Sequence, residues 1–377
     1  MKILHVAETS RGGCGTYLNE MLPQQLAALG EARLRCIAPR QHLDQLDRLP
    51  AALLHGFDRP SRARGLPQLA ASVRRLVRDW QPDLIHAHST FAGAVVRTLS
   101  LVTPMPPVIY CPHGWVFDVP LPGPVSRLAR LTERWLSGRC ARIVAISQAE
   151  RLQALACGIP DERIVVVRNG VAAEASTDVA AWDDRRLRLL FVGRLDRQKG
   201  ADTLIDAIAP LQRSLCLRIV GERVHGGREH ALPSLPHVSY TGWLSLEQVA
   251  AQINACDAVV MPSRWEGFGL VAVEAMRAAK PVLASEVGGL REIVQDPQTG
   301  RFFPPDNPLA LRRLLASLDR DQLRRQGLAG RERFLQHYTS RRTHEELMRL
   351  YAEVLGRPAG APLVAPAGVA VPPGGQA

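Results

Sequence analysis

The sequence predicts an α/β protein built from two doubly wound domains that face a common cleft. Short apolar strands alternate with amphipathic helices along the whole chain, which is typical of parallel βαβ units. The pattern restarts near residue 187, and a length of 377 residues suits two cores better than one. Because ligands of open α/β sheets bind at the carboxyl ends of the strands, we expect the functional site between the two domains.

The first half contains six apolar runs of strand length, at 2–7, 33–38, 83–87, 107–111, 142–146 and 163–167. Amphipathic patterns between them predict helices over 17–29, 66–80, 125–136 and 148–156. The second half repeats the alternation, with strands at 187–193, 215–220, 237–241, 257–261, 281–284 and 299–303. Its predicted helices lie near 201–209, 245–254, 270–279 and 307–317, followed by a helical stretch over 319–356.

The domain limits follow from these patterns. We predict an N-terminal domain over 1–171, a linker over 172–186 that is rich in small and acidic residues, and a C-terminal domain over 187–340. A helix over 341–356 is expected to cross back to the first domain. The tail 357–377 consists of Pro, Gly and Ala with almost no charge, and its composition predicts disorder.

Composition excludes several classes of protein. Hydrophobic residues at 46% and charged residues at 22% indicate a soluble globular chain, and no apolar run approaches the roughly 20 residues that cross a bilayer. The N-terminus is interpreted as a first strand and not a signal peptide, so we expect a cytoplasmic location. The seven cysteines are scattered and odd in number, which argues against disulfides and a zinc site.

The net charge of +11 is concentrated in the first half, where residues 1–171 carry +8 and the remainder carries +3. A basic half predicts attraction to phosphates, to an anionic membrane surface or to nucleic acid. Solubility alone is an equal alternative, since nearly all the basic residues are arginines. No helix-turn-helix or aromatic-interleaved basic strand supports nucleic acid as a partner.

Two glycine-containing turns follow predicted strands. The first, Thr9 to Thr16, contains Gly12, Gly13 and Gly15 and leads into a helix, whose N-terminus favours an anion. It does not match the dinucleotide fingerprint, so a plain tight turn is as good an interpretation.

The second turn follows the strand at 187–193 and carries two cations, Arg194 and Lys199, with Lys199-Gly200 opening a helix. Arg grips phosphate through its planar fork and Lys supplies a compact charge, so the pair suits a diphosphate. The alternative is a solvated basic loop.

The segment from Pro262 to Met276 carries the most specific pattern. Gly267 and Gly269 form a tight loop before a helix, which aims free N–H groups outward. Glu274 then lies among apolar residues, where a carboxylate is costly unless something bonds it. Arg277 is one partner and a pair of ribose hydroxyls is another. Glu266, before the glycines, faces the same cleft.

Glu266 and Glu274 would lie about 12 Å apart on a continuous helix, too far to share one proton. They are therefore expected to hold two ends of an extended ligand. His113 follows a first-domain strand, and a lone histidine there is more often structural than functional. His86 and His88 follow another strand and are expected not to form a metal site, since no third ligand stands at helical spacing.

Together these residues resemble the retaining glycosyltransferases of family 4, which have the GT-B fold of two Rossmann-like domains. The resemblance spans the chain from its start to about residue 356. It has four parts, which occur in the family's order: Gly12 to Gly15, Gly193-Arg194 with Lys199-Gly200, Glu266-x7-Glu274, and Gly288 to Val294.

The resemblance implies roles for individual donor-site residues. Arg194 and Lys199 would hold the donor diphosphate and stabilise the charge that develops as it leaves. Glu274 would accept hydrogen bonds from the ribose, and Glu266 would contact the transferred sugar. The N–H groups of three further residues would contact that sugar too, namely Phe268, Gly269 and Leu270.

Other implied roles concern the first domain, which binds the acceptor in this family. The loop of Gly12, Gly13 and Gly15 would close over phosphate or acceptor, with Gly13 at the donor. His113 would lie near the sugar and acceptor, so the implied catalytic set is His113, Glu266, Arg194 and Lys199. No cofactor and no metal are implied, and the nucleotide sugar is a co-substrate.

Residues 123–142 carry five arginines among Leu128, Leu131, Trp135 and Leu136. This pattern suits a basic amphipathic helix on an anionic membrane, and equally a helix packed on the sheet with a solvated Arg face. Membrane contact would point to a lipid-linked saccharide acceptor, as in exopolysaccharide, capsule or O-antigen synthesis, and to a peripheral location.

Two other functions remain open from the sequence. A nucleotide-sugar 2-epimerase also binds a sugar nucleotide between two such domains, but the Glu266 and Glu274 arrangement fits elimination and re-addition poorly. A non-catalytic polyanion-binding protein is suggested by the basic first half. An oxidoreductase is disfavoured by the glycine spacing of the first turn. The sequence does not identify the sugar, the nucleobase or the acceptor.

Overall fold

The computed structural model describes residues 1–119, 121–174, 176–223 and 233–357, with residues 62 and 63 described by their backbone only. Within these ranges the chain forms two separate sheets, one of seven strands and one of six, and all strand pairs are parallel. Helices connect most successive strands in both halves. The predicted α/β fold class with two Rossmann-like domains is confirmed. The tail predicted to be disordered lies, from residue 358, outside the described residues.

The first sheet has the order β3-β2-β1-β4-β5-β6-β7. Its strands are β1 (Ile3–Ala7), β2 (Leu34–Pro39), β3 (Leu54–Phe57), β4 (Leu84–His88), β5 (Val108–Cys111), β6 (Arg142–Ala145) and β7 (Ile164–Val166). Its helices are α1 (Gly13–Leu29), α2 (Arg62–Trp80), α3 (Thr90–Leu99), α4 (Gly123–Ser137) and α5 (Gln148–Ala156).

Two elements of the first half, β3 and α3, were not predicted from the sequence. The strand β3 has four residues, including Gly56, and is too short to show a period. The helix α3 contains Gly93, where a Cβ would lie 2.2 Å from the ring of Tyr110. Close packing on β5 therefore requires a residue with low helix propensity, which weakens the sequence signal.

The second sheet has the order β10-β9-β8-β11-β12-β13. Its strands are β8 (Leu187–Val192), β9 (Leu215–Val220), β10 (Val238–Gly242), β11 (Ala258–Met261), β12 (Val282–Ser285) and β13 (Gly300–Phe303). Its helices are α6 (Ala201–Ile208), α7 (Leu246–Ala255), α8 (Leu270–Arg277), α9 (Leu290–Ile293), α10 (Pro308–Ala316) and α11 (Arg320–His337).

The last helix, α12 (Ser340–Val354), contacts the first half of the chain. It packs against α1, and its Tyr351 hydroxyl lies 2.6 Å from Nδ1 of His86 on β4. The described residues of 172–186 form neither helix nor strand. None of the helices in the described ranges is both long and apolar enough to cross a membrane.

The topology of each sheet fixes where a ligand can bind. The strand order reverses between β1 and β4 in one sheet and between β8 and β11 in the other. In doubly wound sheets the crevice at such a switch point is the usual ligand site, because the loops diverge to opposite faces there. The loops that follow β1, β8 and β11 contain the candidate residues Gly12, Arg194, Lys199 and Glu266.

Candidate active site

The glycine turn after β1 faces the second half of the chain. Gly12 and Gly13 are exposed, and a Cβ on Gly13 would lie 3.8 Å from Cδ1 of Leu270 at the start of α8. Gly15 differs from them because it is buried, and a Cβ there would come within 2.0 Å of the Ser10 carbonyl oxygen. Gly12 and Gly13 therefore border the cleft, whereas Gly15 allows the turn to pack.

Lys199 and Glu266 form an ion pair at the carboxyl edge of the second sheet. Nζ of Lys199 donates to Oε2 of Glu266 at 2.6 Å, and the Ser263 hydroxyl donates to the same oxygen at 3.2 Å. Both side chains are mostly buried, with 18% and 11% exposed. The loops after β8 and β11 thus bring together two groups that are 67 residues apart.

Arg194 lies on the same loop as Lys199 and is half exposed. Its Nε is 3.0 Å from Oδ2 of Asp196, and its Nη2 donates to Oε1 of Gln198 at 2.8 Å. Asp196 also accepts from the backbone N–H of Lys199 through Oδ1, at 3.1 Å. One carboxylate therefore ties the two cation-bearing residues to each other.

The loop before α8 offers donors from its backbone only. The N–H groups of Phe268, Gly269 and Leu270 donate to no group within the described ranges, since they precede the first helical hydrogen bond. The Phe268 side chain is 3% exposed and packs edge-on against Tyr338, so it does not reach the cleft. The Phe268 ring therefore belongs to the core, and the contact of the three N–H groups with a sugar stays a prediction.

The Gly288-Gly289 pair supports this loop from behind. A Cβ on Gly288 would lie 1.8 Å from the Glu266 carbonyl oxygen, and one on Gly289 would lie 2.6 Å from the Gly267 carbonyl oxygen. The N–H of Gly289 donates to the Glu266 carbonyl at 3.1 Å. Only glycine permits this approach, which explains why the downstream motif accompanies Glu266.

Glu274 is partly buried on α8 and lines a pocket between the two halves of the chain. The pocket encloses about 810 Å³, including its solvent-open part, and also contains Glu20, Arg48 and Arg277. The Glu274 carboxylate makes no hydrogen bond or ion pair with any described residue. Burial raises its pKa to about 7; Arg277 opposes this shift and Glu20 adds to it.

Direct hydrogen bonds join the start of α5 to the loop before α8 and to α9. Oγ of Ser147 donates to the Gly267 carbonyl at 2.8 Å, and the N–H of Ala149 donates to Oε1 of Glu292 at 2.9 Å. The fully buried Glu150 lies beside Gly267, whose Cβ would be 3.0 Å from Oε1 of Glu150. Burial raises the pKa of Glu150 to about 8.

His113 joins a cluster of buried histidines beneath the cleft. It has a positive φ of 53°, and its Nε2 is 3.0 Å from Nδ1 of His88. The edge of Tyr17 packs on its ring at a centroid distance of 4.7 Å. Such a backbone conformation is unfavourable for a non-glycine residue and persists where the surroundings enforce it.

The expectation that His86 and His88 lack a third metal-ligating group is wrong, because His5 lies beside them. His5 pairs with His86 in the register between β1 and β4, and one ligand atom from each of the three histidines lies within 4.8 Å of the others. The third group therefore comes from the neighbouring strand and not from helical spacing. That the enzyme needs no metal stays a prediction.

Comparison with known proteins assigns both halves of the chain to one family. Residues 12–170 match the model of the glycosyl transferase 4-like domain, and residues 172–333 match that of the glycosyl transferases group 1. A 41.2 kDa protein in the cps region of Klebsiella pneumoniae, itself uncharacterized, is 31% identical over 80% of this chain and 85% of its own length. The chain belongs to the group 1 glycosyltransferases.

Two further similarities extend this assignment. Glycogen synthase of Mycobacterium tuberculosis is 31% identical to this glycosyltransferase over 68% of the chain and 65% of its own length. The crystal structure of Anabaena HepE in complex with UDP-glucose superimposes with a TM-score of 0.79. It is 21% identical, with coverage of 94% of this chain and 100% of HepE, and it supports the fold.

Some residues of this glycosyltransferase site escaped sequence reasoning. Ser147 and Glu150 carry no motif, because their contact with Gly267 depends on how the two halves meet. Glu20 lies on the helix after the glycine turn, and only the pocket reveals that it approaches Glu274. His5 was detectable, since it occupies a strand that the topology places beside His86.

Proposed function

We propose that this glycosyltransferase transfers a sugar from a nucleotide-diphosphate sugar to a saccharide or lipid-linked saccharide acceptor. In the proposed reaction the bond between the sugar C1 and the donor phosphate oxygen breaks. A bond from C1 to an acceptor oxygen forms with the same anomeric configuration. The reaction is proposed to need no metal, and the process served is exopolysaccharide, capsule or O-antigen synthesis at the cytoplasmic face of the membrane.

One observation carries the proposal: an ammonium and a guanidinium lie on one loop at the switch point of the second sheet. Lys199 is held there by Glu266, and Arg194 by Asp196. A departing diphosphate gains negative charge, and cations already in position stabilise that charge without reorganising. We assign Arg194 and Lys199 to the diphosphate and Glu266, with the N–H groups of Phe268 to Leu270, to the transferred sugar.

Glu274 is proposed to bind the ribose. A carboxylate that is partly buried and has no partner among the described residues carries a desolvation cost, which two hydroxyl donors would offset. Its position in a pocket bordered by both halves of the chain supports this role. His113 and the Gly12-Gly13 turn border the cleft from the first domain and are proposed to meet the sugar and the acceptor.

The similar proteins support a nucleotide sugar as donor. HepE was crystallised with UDP-glucose, and the relative from Klebsiella pneumoniae lies in a cps region. The bound UDP-glucose and the cps region are properties of those two proteins. They motivate a test of UDP, GDP and ADP with their sugars on this chain.

The donor site is tested by thermal stabilisation of the purified protein in the presence of each nucleotide and nucleotide sugar. The nucleotide of the true donor should raise the Tm, because a ligand that binds only the folded state stabilises it. Lys199→Ala should weaken its affinity about 10- to 100-fold, the effect of losing a charged hydrogen bond worth roughly 1.5–3 kcal/mol.

The matched control is Arg197→Ala, which removes an exposed cation from the same loop. It should leave the affinity within about threefold of wild type, since exposed charges act weakly through solvent. Equal losses in both variants would mean that the loop acts through overall charge. An unchanged affinity in Lys199→Ala would overturn the diphosphate assignment.

The stereochemistry and the metal requirement are tested together once a donor is known. Proton NMR of the product should show the anomeric configuration of the donor, and excess EDTA should leave the rate unchanged. Release of nucleotide diphosphate should require acceptor, whereas a 2-epimerase would alter the donor without one. An inverted product or EDTA inhibition would remove the corresponding part of the proposal.

The acceptor is proposed to be presented at an anionic membrane by α4. The outer face of this helix exposes Leu128, Leu131 and Trp135 by 63%, 55% and 59%. Its inner face carries Glu133, Leu136 and Ser137. Leu128, Leu131 and Trp135 therefore do not pack on the sheet, as they would in a helix that exposes only its arginines to solvent. Exposed arginines flank the apolar stripe, at Arg127, Arg130 and Arg134.

Vesicle sedimentation tests this surface. The protein should pellet with vesicles containing anionic phospholipid and not with zwitterionic vesicles, and salt should release it. The triple variant L128S/L131S/W135S should bind at least about tenfold more weakly, since each buried apolar side chain contributes roughly 1.5–3 kcal/mol. The control L328S/L335S alters two exposed leucines of α11 and should bind the anionic vesicles as the wild type does. If the wild-type protein showed no preference for anionic vesicles, α4 would not be a membrane-binding surface.

A further inference from the structure

We propose that Gln25, His5 and His88 form a hydrogen-bonded relay that fixes His113 with its proton on Nε2 and leaves Nδ1 as an acceptor. The relay goes beyond the proposed function because it names three positioning residues, which the sequence motifs do not contain. It does not depend on which nucleotide sugar is the donor. Its ligand at His113 would be a hydroxyl group, which can donate to Nδ1.

Four side chains from four elements form an unbroken line of hydrogen bonds. Oε1 of Gln25 on α1 lies 2.7 Å from Nε2 of His5 on β1. Nδ1 of His5 lies 2.9 Å from Nε2 of His88 on β4. Nδ1 of His88 lies 3.0 Å from Nε2 of His113, which follows β5.

The amide oxygen of Gln25 gives the line its direction. An amide oxygen only accepts, so Nε2 of His5 must carry the proton. A neutral imidazole has one N–H, so Nδ1 of His5 is bare and accepts from Nε2 of His88. By the same rule Nδ1 of His88 is bare and accepts from Nε2 of His113. The Gln25 amide nitrogen donates to the Tyr351 hydroxyl at 3.4 Å, which holds the amide in this orientation.

An imidazole ring carries a single N–H proton only while it is neutral. Burial keeps these rings neutral because it disfavours the charged form. His5 and His88 are 0% exposed. Burial lowers the pKa of His5 and of His113 to about 4, and burial together with the neighbouring imidazoles lowers the pKa of His88 well below its ordinary value. A second proton on His5 or on His88 would point two N–H groups at each other.

The last ring of the relay reaches the cleft. His113 is only partly buried, and its Nδ1 has no hydrogen-bond partner among the described residues. Its left-handed backbone and the Tyr17 ring against its face hold it in one orientation. A histidine free to change tautomer would present a donor or an acceptor to the same hydroxyl, whereas the relay presents only the acceptor.

A metal ion at His5, His86 and His88 is the competing use of these rings. It requires deprotonated ring nitrogens directed at one ion. The 2.9 Å separation of Nδ1 of His5 and Nε2 of His88 is that of two nitrogens sharing a proton. The relay and the metal site therefore exclude each other, which allows one experiment to decide between them.

The test is NMR of protein labelled with ¹⁵N in its histidines, compared among wild type, His5→Leu and His86→Leu. In wild type, Nε2 of His113 should give the upfield signal with a directly bonded proton, and Nδ1 the downfield signal of a bare nitrogen. His5→Leu removes the acceptor of His88, so the two His113 signals should move toward each other as the opposite tautomer becomes populated.

His86→Leu is the matched control, because it removes an equally buried imidazole that bonds Tyr351 and lies outside the relay. Its His113 signals should stay as in wild type. A wild-type His113 with its proton on Nδ1 would overturn the relay, and this measurement needs no variant to fold. Equal shifts of the His113 signals in both variants would also overturn the relay. So would the binding of one equivalent of added Zn²⁺ with loss of the His88 N–H signal.

Discussion

The position of Glu274 on α8 carries a cost in stability. It is partly buried on α8 with no bonding partner among the described residues, and burial raises its pKa from 4.5 to about 7. Below pH 4.5 the carboxyl is protonated in the folded and the unfolded protein alike. As the pH rises to 7, the unfolded chain loses its proton first, so the folded state becomes relatively less stable.

Glu274→Gln should therefore raise the free energy of unfolding at pH 8 by roughly 1–3 kcal/mol. The gain should vanish below about pH 4.5, and denaturant titrations at several pH values measure it. The same variant should bind the nucleotide at least about tenfold more weakly, since a neutral amide accepts hydrogen bonds less strongly than a carboxylate. A variant that is less stable at pH 8 would show that Glu274 has a protein partner.

Sequence patterns identified the charged residues of the site but not how they are supported. Lys199, Glu266 and Glu274 stand in spaced motifs next to glycines, and those motifs encode chemistry that few other residues can perform. His5 and Gln25 reach the site through strand register and helix packing. These contacts depend on tertiary structure, which local sequence does not specify.

At the scale of elements, a buried ion pair joins α4 to α3, and Leu136 is buried on the same helix. Nη1 of Arg97 on α3 donates to Glu133 at 2.9 Å, and the Tyr110 hydroxyl donates to the other carboxylate oxygen at 3.2 Å. The guanidinium also stacks on the Tyr110 ring at 3.9 Å. The inner face of α4 therefore combines this buried ion pair with Leu136, whereas Leu128, Leu131 and Trp135 lie on the outside.

Glu133→Ala should destabilise the protein by about 3–5 kcal/mol, because it leaves Arg97 buried without its counter-charge. Denaturant unfolding measures the change. The double variant R97M/E133L should recover most of the loss, since an apolar pair of similar size removes the unpaired charge as well. If the double variant were as unstable as the single one, lost packing and not charge would explain the effect.

Sequence patterns predicted most elements within a few residues, and the misses have physical causes. The helix α1 begins at Gly13, four residues before its predicted start, because Gly13 and Gly15 of the turn already belong to the helix. The predicted stretch 319–356 is two helices, α11 and α12, separated at Tyr338 and Thr339. Periodicity reveals regular segments, whereas their ends depend on side chains that pack from elsewhere.

At the scale of the whole molecule, the two sheets direct their switch points at one cleft. The contacts of Ser147 with Gly267 and of Ala149 with Glu292 fix the loop before α8 and the helix α9 against the first domain. The helix α12 contacts both the α1 side and β4 of the first sheet. Groups that are proposed to bind different parts of one extended ligand thereby come from both halves of the chain.

The proposed donor site is tested most directly by a crystal structure of the protein with the nucleotide diphosphate that stabilises it most. Diphosphate oxygens should lie within about 3.5 Å of Arg194 and Lys199, and ribose hydroxyls at a similar distance from Glu274. A nucleotide bound elsewhere, with Lys199 still paired to Glu266 and Glu274 still without a hydroxyl partner, would contradict this assignment.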